Sequence, residues 1–132
     1  MRKLALFICL FTITISFSQT TKEDLLGKWQ LLTLTIDGEV LTTYEAIDSD
    51  EFYHEYLKDQ TFRTTVNQDI DDGTWELSMN NETLNIVLGT RSGELHFEIL
   101  EISTDKLQLL DTDEEQEIIL TFKKVKFSKL LE

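Results

Sequence analysis

The sequence contains no proline, one cysteine and two histidines in 132 residues, and each scarcity removes a class of chemistry. The cysteine, Cys9, lies inside an apolar run near the N-terminus. The remainder of the chain can therefore form no internal disulfide, no metal–thiolate site and no thiol nucleophile. His54 and His96 sit in strand-like runs. No His-x-x-x-His spacing occurs, and the one Glu-x-x-His, Glu51 to His54, falls in a strand-like run, where residues three apart point to opposite faces and not to one helical face. No serine stands in a G-x-S-x-G elbow, and glycine-rich phosphate loops are absent. Cationic side chains are also scarce: 12 Lys and Arg against 25 Asp and Glu give a formal net charge of −13. A field of that sign repels nucleic acid and anionic membrane surfaces, and its plainest role is solubility. The lack of proline leaves every backbone amide able to donate, which suits a protein made of paired strands.

What is present begins with an export signal. Arg2 and Lys3 supply a positive start, Leu4 to Phe17 is apolar, and Ser16 and Ser18 place small side chains at −3 and −1 of a cleavage before Gln19. The run is shorter than the roughly 20 residues a membrane span needs, so residues 1–18 are expected to be a cleaved signal peptide. Lipidation at Cys9 is disfavoured, because Ile8 is bulky and the cysteine lies mid-run. Taking 18 residues from 132 leaves a mature chain, 19–132, of 114 residues, enough for one hydrophobic core. Without Arg2 and Lys3, ten basic residues face 25 acidic ones, a charge of −15. The expected location is the periplasm or the exterior of a bacterial cell, with no part of the mature chain spanning a membrane.

After a short capped turn at Thr21 to Leu26, ended by Gly27, the pattern is one of short runs rich in Val, Ile, Leu, Thr and aromatics. Strands are predicted over 28–36, 40–44, 51–58, 61–66, 73–79, 83–88, 94–102, 106–111 and 116–126. Asp37-Gly38 and Asn80-Asn81 suit two-residue hairpins; 58–60, 89–93 and 103–105 suit longer ones. Only Thr43 to Phe52 leaves a helix open. Trp75, Leu77 and Met79 alternate with Thr74, Glu76 and Ser78, as do Leu95, Phe97 and Ile99 with Glu94, His96 and Glu98. Such strands put one face on a core and one in water. The first run changes phase, with Trp29 and Leu31 on one face and Leu32, Leu34 and Ile36 on the other. A bulge near Leu31-Leu32 reconciles them, and a second is predicted between Ile99 and Ile102. A meander of about eight antiparallel strands leaves two raw edges unless it closes, so the predicted fold is a single all-β barrel with a short N-terminal helix. An immunoglobulin-like sandwich is the rival, but it requires longer crossovers.

The stretches "LLGKWQL" at 25–31, "FRTTVNQDIDDGTWEL" at 62–77, "ETLNIV" at 82–87, "FEILEISTDKLQLL" at 97–110 and "IILTFKKV" at 118–125 resemble the lipocalins, and more closely the small lipocalin-like proteins exported by Gram-negative bacteria. The resemblance implies that Gly27-x-Trp29 opens the first strand and that Trp29 plugs the closed end of the barrel. It also implies that Lys123 or Lys124 in the last strand lies over the Trp29 ring. Departures from the family pattern are the lack of an arginine in the last strand, of a disulfide and of a C-terminal helix.

The remaining signals concern function. Asn67-x-Asp69-x-Asp71-Asp72-Gly73 has the look of a calcium loop, but its glycine arrives one residue late and Ser78 stands where the bidentate glutamate belongs. The expectation is no metal, no cofactor and no enzymatic activity. Gly73-Thr74-Trp75 reads as a hairpin exit whose tryptophan faces the interior well above Trp29. Trp75, Leu77, Ile86, Phe97 and Phe122 are the expected lining of a cavity for a small hydrophobic ligand. A barrel of this size can instead be filled by its own side chains. The alternative is a filled barrel that binds a protein partner through its surface or loops, with Leu32, Leu34, Tyr53 and Leu57 needing cover on the outside.

Overall fold

A computed structural model describes residues 22–78, 82–89 and 93–126. Helix α1 (Lys22–Leu25) leads into strand β1 (Gly27–Ile36). Then come β2 (Glu39–Thr42), helix α2 (Thr43–Ile47), β3 (Phe52–Tyr56), β4 (Thr61–Val66) and β5 (Asp69–Leu77). The chain continues through β6 (Thr83–Leu88), β7 (Glu94–Ile102), β8 (Lys106–Asp111) and β9 (Ile118–Lys124). Every pairing is antiparallel and β3 to β9 follow in chain order. β1 pairs with β9 from Trp29↔Lys124 to Ile36↔Ile118, closing eight strands into a barrel. β2 is a ninth strand: it takes the Thr33–Ile36 half of one β1 edge, while β3 takes the Gly27–Gln30 half. Closure removes the raw edges a meander would otherwise expose. Among the described residues no helix is long and apolar enough to cross a membrane.

Both predicted bulges are present. Leu31 faces Phe122 and Thr33 faces Thr121, so Leu32 is an extra residue that turns outward while Leu31 and Leu34 pack inward. Leu34 therefore needs no cover on the outside. Likewise Ile99 faces Leu109 and Glu101 faces Gln108, leaving Leu100 exposed. At the first bulge β1 passes from one neighbour to the other, and the Thr43 hydroxyl, buried on α2, donates to the Leu31 carbonyl there. The helix left open in the sequence is α2, shorter than that window allowed. Its start is a capping box, in which Thr42 and Glu45 each bond the other's backbone amide.

The hairpin before β5 lies earlier than predicted. Asn67 and Gln68 hold the two positive-φ positions of the turn (49° and 80°), and the acidic run 69–72 already belongs to the strand. Gly73 thus stands mid-strand, paired with Phe62 and Leu88, and is not a hairpin exit. The candidate calcium loop is extended: Asp72 turns outward to Arg63, at 2.7 Å, while Asp69 and Asp71 border the barrel mouth. Among the described residues no three Asp, Glu, His or Cys side chains come together as a metal site requires. The expected signal peptide, Met79, the Asn80-Asn81 turn and residues 90–92 lie outside the described residues.

Candidate ligand-binding site

The barrel has one plugged end, a filled middle and a mouth. At the plugged end Trp29 is wholly buried and donates its indole N–H to the Leu25 carbonyl at 2.9 Å. The cation over its ring is Lys124, with Nζ 4.4 Å from the ring centroid and bonded to the Leu26 carbonyl. Lys123, its neighbour, is exposed. Burial depresses the Lys124 pKa. Gly27 adopts φ of +121°, and a Cβ there would come within 2.9 Å of the Lys124 ammonium. The glycine thus supplies both the backbone twist into β1 and room for the lysine.

Trp75 is the second plug. Its indole N–H donates to the Leu57 carbonyl at 3.1 Å, and its backbone amide donates to Gln60, both in the β3–β4 hairpin. It lies at the closed end, with Tyr56 edge-on against it at 5.6 Å, and not higher up as alternation implied. Alternation reports the face of a strand correctly but says nothing about depth along the barrel.

The rest of the interior is packed with Leu77, Leu84, Ile86, Phe97, Leu109 and Phe122. At the top of this packing sits His54, only 2% exposed. Phe122, Phe62, Phe52 and Phe97 surround its ring at centroid distances of 4.9, 5.0, 5.5 and 6.2 Å. Its Nδ1 lies 3.2 Å from the buried Tyr56 hydroxyl. The histidine follows from the pattern of β3, where Glu55 commits Tyr53, Glu55 and Leu57 to the outside and so Phe52, His54 and Tyr56 to the interior.

Over His54 opens a cavity of about 330 Å³. Phe52, Val66, Leu88, Leu95 and Ile70 form apolar walls; His54, Thr64, Asp69 and Asp71 add polar groups. The register puts His54, Thr64 and Asp71 opposite one another on β3, β4 and β5, a polar row crossing one wall. Of the five residues expected to line a cavity, Trp75, Leu77, Ile86, Phe97 and Phe122, all are buried in the interior and none borders this one. They form the packing beneath it. The residues that do border it come from the upper ends of β3 to β7.

The sequence profile of the lipocalin-like domain matches residues 25–109, more than half of the chain. The chain belongs to the lipocalin-like domain family. Solved structures carry the same architecture. A lipocalin-like protein from Bacteroides uniformis is 20% identical with a TM-score of 0.60, covering 77% of this chain and 99% of its own. An uncharacterized protein from Bacteroides eggerthii is 18% identical with a TM-score of 0.56, covering 76% and 99%. A duf4847 family protein from Bacteroides vulgatus is 14% identical with a TM-score of 0.56, covering 77% and 94%. At these identities the likeness concerns the fold. No curated protein matches the chain.

In this lipocalin-like barrel the buried histidine leaves a signature in stability. Desolvation pushes the His54 pKa from 6.5 to about 3. Between those values the unfolded chain holds one proton more than the folded one. The stability due to neutral His54 is therefore complete above about pH 6.5 and is lost as pH falls toward 3, by about 1.4 kcal/mol per unit. His96 has the opposite sign, its pKa being raised chiefly by a hydrogen bond to Asp113, but it is solvent-exposed. Asp59 and Asp72, both held low by hydrogen bonds, add their own losses only as pH falls to the ordinary carboxylate value of 3.8 and below, at the acid end of that range. Urea unfolding between about pH 6.5 and 5 is expected to show the acid slope in the native chain and to lose it in His54→Phe. A slope unchanged by that substitution assigns the acid sensitivity elsewhere.

Proposed function

We propose that this protein is an exported, non-enzymatic carrier that holds a small apolar or amphipathic molecule in the mouth of its barrel. The observation that supports the reading most is the cavity of about 330 Å³, within the size range of small-molecule sites and, like them, apolar with a few polar groups. Export is supported by the charged, apolar and small-residue order of residues 1–18. A non-enzymatic role is supported by the state of His54, which burial keeps neutral near physiological pH and so unsuited to shuttling protons.

Native mass spectrometry of the protein purified from its own source tests the carrier reading. A bound mass that survives desalting and leaves on denaturation is expected. A bare chain that also takes up no apolar probe in solution would overturn it.

A second reading, a barrel that binds a protein partner, draws support from the packing that fills everything below His54 and from Val40 and Ile70, 61% and 59% exposed. Under that reading the cavity stays empty in purified protein and a partner copurifies.

A further inference from the structure

The cavity floor is more specific than its walls. Tyr56 is buried, and the only hydrogen-bond partner of its hydroxyl among the described residues is His54 Nδ1. A buried hydroxyl that donates to nothing is costly, so the Tyr56 O–H donates to Nδ1. An Nδ1 that accepts carries no proton, and in a neutral imidazole the proton must then sit on Nε2. Nε2 has no protein partner among the described residues, and it is not one of the side-chain atoms sealed away from space. The space His54 borders is the cavity. A side chain that is almost wholly buried thus presents one N–H donor to the cavity floor. Thr64 stands opposite it across the β3–β4 pair.

We infer that His54 is the specificity-determining residue of the cavity and that the ligand is a neutral molecule with an apolar body whose leading end carries an acceptor oxygen, such as a ketone, ester or amide carbonyl. The inference rests on the carrier reading and narrows it. A hydrocarbon filling the same space leaves Nε2–H without an acceptor and forfeits the bond. A carboxylate fares worse. It would exchange its hydration for a single neutral donor, among apolar walls that also carry Asp69 and Asp71.

Three probes of one shape separate these cases: 2-acetonaphthone, 2-ethylnaphthalene and 2-naphthoate, titrated calorimetrically into the full folded chain near neutral pH. The ketone is expected to bind about tenfold more tightly than the hydrocarbon, the worth of one neutral hydrogen bond, with the carboxylate weakest. His54→Phe, which keeps an aromatic ring in the cage, is expected to abolish the ketone preference while the hydrocarbon binds at least as well. Independently of any variant, nitrogen-15 spectra of the native protein are expected to show a protonated Nε2 and a bare Nδ1. Equal binding of ketone and hydrocarbon, a preference that survives His54→Phe, a protonated Nδ1, or tightest binding of the carboxylate would each overturn the inference while leaving a carrier in place. Binding of none of the probes overturns this inference, and together with a bare chain in native mass spectrometry it removes the carrier reading as well.

Discussion

Gly73→Ala is expected to destabilise the barrel by about 3 kcal/mol or more, although it adds a single methyl group. A Cβ at this position would lie 1.9 Å from the Val87 carbonyl oxygen, 2.9 Å from its carbon and 3.0 Å from the Leu88 Cα. All three are backbone atoms of the paired strand, so no rotamer change relieves the clash. β5 must move away from β6. The displacement reaches Leu88, a wall of the cavity, and Trp75, two residues on, which secures the β3–β4 hairpin. Folding free energies of domains this size run about 5–15 kcal/mol, so the loss is a large fraction of the total. Equilibrium unfolding in urea checks it through a lower midpoint at unchanged slope. A midpoint that stays at the native value means that the strands slide apart without cost and that close approach is not why glycine is here.

Trp29→Ala is expected to cost about 3–5 kcal/mol, the range for deleting a buried large aromatic. Three losses combine. The closed end loses its largest wholly buried side chain. The Leu25 carbonyl at the end of α1 loses its indole donor, and Lys124, partly desolvated over the ring, loses the face that compensates it. Trp29→Phe separates them: it retains a ring beneath the ammonium but no N–H, and about 1–2 kcal/mol is expected. Thermal and urea unfolding of the two variants supply the comparison. If alanine proves as mild as phenylalanine, packing contributes little at the closed end and the plug is held by polar contacts alone.

Much of this architecture is written in hydrophobic phase. The two places where the apolar face reverses, after Leu31 and after Ile99, are the two bulges, because an extra residue in a strand is the only local way to turn the alternation over without ending the strand. The part of β5 before Gly73 was hidden for the converse reason. Asp69, Asp71 and Asp72 carry no apolar alternation, and a carboxylate facing a wet barrel mouth looks, in sequence, like one in a turn. The functional end was less legible than the fold. Alternation told correctly that Trp75, Leu77, Ile86, Phe97 and Phe122 face inward. Whether an inward residue borders space or lies in packing depends on its height, and that follows from strand stagger, which no single strand encodes. His54 carries no sequence signal of a site: Glu51 stands three residues before it, but on a strand that offset puts the two side chains on opposite faces. Its role comes from Tyr56 and the phenylalanines that three other strands bring to it.

The seam between β1 and β9 has a kinetic consequence. It joins Trp29 to Lys124 and Ile36 to Ile118, residues more than eighty positions apart, whereas β3 to β8 each pair with the next strand along the chain. Hairpins of local contacts can form early, but the seam must wait until the last strand exists, and the loop it closes is nearly the whole domain. Until then β1 and β9 are open edges with apolar inner faces, the arrangement most prone to pairing with another chain. The tryptophan plug, whose lysine comes from β9 and whose carbonyl partner comes from α1, is therefore a late-forming latch, and the barrel is safe from association only once it has closed.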